Sequence, residues 1–110
     1  MAIFKSYPVQ KIINGLTINT SDSSIVTHSG YKTNGESVIV VKCDEECILY
    51  LDDKTTDHCT VKAMCDMILS SEILIDEEFN EIELQKGASV ELKIVGDFYY
   101  ILSSDGLKNS

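Results

Sequence analysis

The sequence predicts an all-β domain, a small antiparallel β-sandwich or barrel-like fold. Three observations carry that expectation. From Glu36 onward, apolar residues recur with a period of two rather than 3.6. Turn-forming residues interrupt them at intervals of about 8 to 12 residues. Only one stretch, Ala63 to Leu69, spaces apolar residues as a helix would (Met64, Met67 and Ile68), and it lacks both a cap and helical length.

The first third of the chain differs from the rest. "NGLTINTSDSSIVTHSGYKTNGES" is rich in Ser, Thr, Asn and Gly and has little to bury. Residues 1–28 read as an N-terminal arm or as edge strands, and both readings are open. Residues 29–110 read as the β-sandwich domain. Ser37 to Cys43 is mostly β-branched and apolar, the composition of a buried central strand. Asp44 to Glu46 is a turn into a second strand, Cys47 to Leu51. "DDKTTD", Asp52 to Asp57, is a polar loop. Cys59, Val61 and Ala63 alternate with Thr60 and Lys62, and Ile73 and Ile75 end a further apolar segment. Ile82 and Leu84 alternate with Glu81 and Glu83, after which Lys86-Gly87 predicts a turn. Val90, Leu92 and Ile94 then share one face, with Ser89, Glu91 and Lys93 on the other. Gly96-Asp97 predicts a two-residue hairpin turn into a return strand, Phe98 to Ser103.

Composition bounds the function. The chain has 110 residues, 44% hydrophobic and 25% charged, the profile of one soluble globular domain. Its net charge is −9, from 18 acidic and 9 basic residues, and all the basic ones are lysine. Binding to nucleic acid is driven by clustered Lys and Arg, so that partner is not expected. The acidity serves solubility, or attraction to a basic surface. No apolar run approaches the roughly 20 residues of a membrane helix, so no membrane partner is expected. "MAIFKSYPVQ" lacks the basic and apolar regions of a secretion signal, which predicts folding in a cytosol. The four cysteines, Cys43, Cys47, Cys59 and Cys65, are then expected to be free and mostly buried. Their spacing has no C-x2-C knuckle of the kind that holds zinc.

Catalytic patterns are sparse. His58 adjoins Cys59, but neighbouring strand residues point to opposite faces, which works against a Cys-His pair. His28, the other histidine, lies in a polar segment and reads as an exposed loop residue. Asp52, Asp53 and Asp57 crowd one loop without the spacing, glycine and terminal Glu of an EF-hand. Glu77, Glu78, Glu81 and Glu83 read as surface charges, and no phosphate-binding glycine loop occurs. The expectation is a non-enzymatic protein without cofactor or metal.

The run Leu84-x2-Gly87-x-Ser89-Val90-x-Leu92, followed by Gly96-Asp97-Phe98-Tyr99-x-Ile101, resembles the closing hairpin of small bacteriophage virion accessory proteins, of the head-decoration or the fibre and tail-appendage type. The resemblance covers residues 84–104. The turn is shorter here than in the commoner form, and Phe98 stands where Trp is frequent. The resemblance implies a structural virion protein, made in the host cytoplasm, that binds the major capsid or tail protein as a decoration or stabilising subunit. Phe98, Tyr99 and Tyr100 put aromatic rings on both faces of the last strand, more apolar surface than so small a monomer covers, so they are the interface candidates of an expected homo-oligomer, and the resemblance makes that oligomer a trimer. Ile3, Phe4, Tyr7, Ile12 and Ile13, in the N-terminal segment, are the candidates for contact with the lattice. A second reading, from a different class, is a small acidic binding module that inhibits or sequesters a host factor.

Overall fold

The structure is a computed structural model that describes residues 10–13, 16–19 and 23–108, with side chains from 23 to 106. Among the described residues all regular structure is β. Strands β1 (Gln10–Ile13) and β2 (Leu16–Asn19) pair antiparallel as a separate two-stranded sheet. The other strands are β3 (Ser23–Val26), β4 (Tyr31–Lys32), β5 (Val38–Val41), β6 (Cys47–Leu51), β7 (His58–Ala63), β8 (Met67–Ile75), β9 (Phe79–Val95) and β10 (Phe98–Lys108). They form one sheet in the order β3-β5-β7-β9-β10-β8-β6-β4.

The all-β expectation holds, but the arrangement is not an antiparallel sandwich. Strands β3, β5 and β7 stack in parallel, as do β4, β6 and β8. The chain therefore winds like a short solenoid, and each rung gives one strand to each of two ladders. Period-two alternation reports which face of a strand is buried, and it is blind to the direction of the neighbour. The turn at Asp44–Glu46 accordingly joins the two ladders rather than the two arms of a hairpin. The Ala63–Leu69 stretch is likewise no helix: β7 ends at Ala63 and β8 begins at Met67.

The ladders meet at β9. Its first part pairs antiparallel with β8 (Leu84 opposite Met67), and its second part pairs antiparallel with β7 (Val90 opposite Val61). Lys86-Gly87 is therefore not a turn. The strand runs on through Gly87, whose φ of 95° is a backbone conformation that residues with a Cβ rarely adopt, as it crosses from one ladder to the other. The turn at Gly96-Asp97 lies where the sequence placed it, and β10 returns along β9 with Tyr99 opposite Ile94 and Ile101 opposite Leu92.

Stacking in register puts like residues above one another. Ser24, Ile39 and Val61 form one inward column, and Val26, Val41 and Ala63 another. On the second ladder Tyr31, Leu49 and Leu69 align, and so do Cys47 and Met67. These columns make one core cluster, closed at the hairpin end by Leu84, Val90, Leu92 and Tyr99. Strands β3 and β4 are the edges of the sheet. Since Val26 is fully buried, β3 belongs to the sheet although it lies within residues 1–28.

Candidate functional site

The alternation in β10 divides the aromatic run. Tyr99 points inward and is 0% exposed, so it fills the core and is not available to a partner. Phe98 and Tyr100 point outward, half-buried, with their rings edge to face at 6.5 Å between centroids. The Tyr100 hydroxyl donates to Glu77 Oε2 at 2.6 Å, which fixes the ring and keeps the phenol protonated. Val95, opposite Phe98 across the hairpin, and Leu102, beside a register shift in β10, are 56% and 53% exposed. Val95, Phe98, Tyr100 and Leu102 thus make an outward apolar strip on the last hairpin. Of the other candidates, Ile3, Phe4 and Tyr7 lie outside the described residues. Ile12 and Ile13 lie on β1, where only their backbone, paired with Thr17 and Leu16, is described.

The two histidines sit apart. His58 opens β7 on the outer face, while Cys59 beside it is fully buried, as alternation requires. His58 Nε2 lies 2.7 Å from Glu91 Oε2, and Glu91 Oε1 accepts a weak bond from Ser103 Oγ at 3.3 Å. The bond from His58 holds the Glu91 carboxyl below its ordinary value. The carboxylate stands between the other two groups, so His58 is not placed on the serine, and the constellation braces β7, β9 and β10 on the surface. The Cys59 thiol is pushed up to about 12, first by burial and then by the charge of Glu36, which makes it inert.

The acidic loop is organised by its own backbone. Asp52 accepts the amide of Lys54 at its carboxylate and the amides of Thr55 and Thr56 at its carbonyl. Among the described residues no three His, Cys, Asp or Glu side chains gather as a metal would require. Beside this loop a cleft of about 300 Å³ is lined by Lys32, Tyr50, Asp53, Lys54, Ser70 and Glu72. Its charges are mixed and its one aromatic, Tyr50, is 40% exposed.

One polar cluster has no clear mark in the sequence pattern. Glu36 is buried and accepts hydrogen bonds from Ser24 Oγ at 2.8 Å, from the Asn34 amide at 2.7 Å and from the Tyr31 hydroxyl. It joins β3, β4 and the loop before β5 into one unit. The signal available was an acidic residue immediately before an apolar strand, within a polar segment, and such a residue ordinarily reads as surface.

No family model, curated protein or solved structure matches the chain.

Proposed function

We propose that this chain is a non-enzymatic structural protein of a bacteriophage virion, bound to the capsid or tail lattice as a homotrimeric decoration or stabilising subunit. The hairpin of β9 and β10 carries the reading. Its residues follow the pattern of the closing hairpin in such proteins, and its outer face presents Val95, Phe98, Tyr100 and Leu102. A second copy that covers this strip removes apolar surface from water, at about 25 cal/mol per Å².

The test has two arms. Light scattering on the purified chain is expected to give a trimer mass, and a monomer mass at micromolar concentration removes the oligomer. Added to particles that lack it, the protein is expected to sediment with them. Removal of residues 1–22 is expected to leave the fold intact and abolish particle binding. The cut stops there because β3 places Val26 in the core. Failure to sediment with particles, together with tight binding to a basic host protein, favours the acidic sequestering module instead.

A further inference from the structure

We propose that Cys43 and Cys47 form an intramolecular disulfide, a covalent modification site at one corner of the stack that locks the turn between β5 and β6. Cys43 lies two residues past β5, and Cys47 opens β6. Only Asp44, Glu45 and Glu46 separate them. With all four cysteines free, their sulfurs are 2.6 Å apart, inside the contact distance of two unbonded sulfur atoms. The ladders impose this closeness. Val41 is paired with Ala63 on one ladder and Cys47 with Met67 on the other, so both ends of the turn are held in register with the rung beneath.

Cys65 occupies the same corner one rung along, two residues past Ala63 as Cys43 is two past Val41. Its sulfur accepts the Cys43 amide at 3.3 Å and faces the Val41 carbonyl at 3.8 Å. That sulfur is engaged with backbone, which leaves Cys47 as the partner of Cys43. Cys43 is half-buried and Cys47 is fully buried, so an oxidant reaches Cys43 first.

The chemistry with a small-molecule disulfide, such as oxidised glutathione, is a pair of exchanges. Cys43 loses its proton to solvent, and its thiolate attacks one sulfur of the oxidant. The oxidant's S–S bond breaks and one thiolate leaves. Cys47 then loses its proton, attacks the Cys43 sulfur of the mixed disulfide and expels the second thiolate. Two S–H bonds are lost and one S–S bond is gained. Two electrons pass to the oxidant, which leaves as two thiols after taking up two protons. Burial pushes both cysteine thiols up, so the closure is slow at neutral pH and quickens with alkalinity. That kinetic character suits a lock set once on leaving a reducing compartment. The inference stands on the geometry of the corner and is independent of the virion reading.

Trypsin separates the four thiols cleanly. Cleavage after Lys42, Lys54, Lys62 and Lys86 puts Cys43 and Cys47 together in residues 43–54, Cys59 in residues 55–62 and Cys65 in residues 63–86. The reduced full-length protein is incubated with oxidised glutathione at mildly alkaline pH, acid-quenched, alkylated, digested and weighed by mass spectrometry. Peptide 43–54 is expected to be unalkylated and lighter by two hydrogen atoms, with Cys59 and Cys65 alkylated. The proposal is overturned if peptide 43–54 is doubly alkylated, carries glutathione at the end point, or is joined to peptide 63–86. Cys65→Ser is expected to leave the result unchanged, and loss of the crosslink in that variant overturns the assigned pairing. In urea the same protein is expected to give mixed pairings. Exclusive Cys43–Cys47 closure at an undiminished rate there overturns the role assigned to the fold.

Discussion

The hydroxyl of Tyr99, in the last strand, donates a hydrogen bond to the backbone carbonyl of Thr56, in the loop between β6 and β7. Both residues are buried, and Thr56 Oγ1 in turn accepts the amide of Gly35 at 2.8 Å. The closing hairpin is thus tied through one loop to the first rungs. Burial, then the nearby Cys59 and acidic loop, push the phenol up, so it remains a donor at any ordinary pH. Tyr99→Phe keeps the ring and leaves the carbonyl unpaired, at an expected cost of about 1–3 kcal/mol in urea unfolding. A change within experimental error shows that water replaces the hydroxyl and that the tie is not structural.

Leu92 and Leu102 test the facing of the hairpin. Leu92 is 0% exposed and Leu102 is 53% exposed. Leu92→Ala is expected to cost about 2–5 kcal/mol, through lost burial and the cavity left behind. Leu102→Ala, measured at a concentration low enough to dissociate the oligomer, is expected to change stability by less than about 0.5 kcal/mol. Equal losses at the two sites contradict the facing assigned to the β9–β10 hairpin.

The turn between β8 and β9 stores strain that a mutation can release. Asp76 and Glu77 have φ of 55° and 63°, a left-handed conformation that costs non-glycine residues about 1–2 kcal/mol each. Asp76 has a compensating role, since its Oδ1 accepts the Ile101 amide at 2.9 Å. The bond of Glu77 to Tyr100 is exposed and contributes little. Glu77→Gly is expected to raise stability by about 0.5–1 kcal/mol, and Asp76→Gly to be neutral or destabilising. Thermal unfolding of the pair checks this, and a more stable Asp76→Gly refutes the role given to its carboxylate.

The same turn shows where sequence reasoning stops. A hairpin with neither Gly nor Asn at its left-handed positions carries no local signal, so the pairing of β8 with β9 was invisible. Cys47–Leu51, Val90–Ile94 and the Gly96-Asp97 turn were legible because burial on one face forces alternation, and because glycine marks a positive φ. Strand direction was not legible. Columns such as Ile39 over Val61 come from residues far apart in the chain, and alternation is identical in parallel and antiparallel ladders. The apolar strip on β10 was half legible: three aromatics in a row must occupy both faces, but only the register with Ile94 shows that Tyr99 is the buried one. The corner shared by Cys43, Cys47 and Cys65 was hidden for the same reason, because its stacking depends on parallel rungs.

Glu36 gives the fold a predictable response to acid. Burial alone would raise its carboxyl, but hydrogen bonds from Tyr31, from backbone amides and from Ser24 outweigh that and hold it below its ordinary value of 4.5. The folded state therefore releases the proton more readily than the unfolded chain does. Above pH 4.5 the carboxylate is ionised in both states, and its contribution to stability is fully present. As pH falls below 4.5 the unfolded chain binds the proton first, and the contribution is lost progressively until the folded carboxyl is also protonated. Glu36→Gln removes this titration while keeping an acceptor for Tyr31 and Ser24. The variant is expected to be less stable than the parent at neutral pH, with the gap closing as pH is lowered through that range. Urea midpoints measured across a pH series report the gap directly. A gap that stays constant with pH places the cost of the substitution in altered packing and shows that the Glu36 charge does not hold the first rung together.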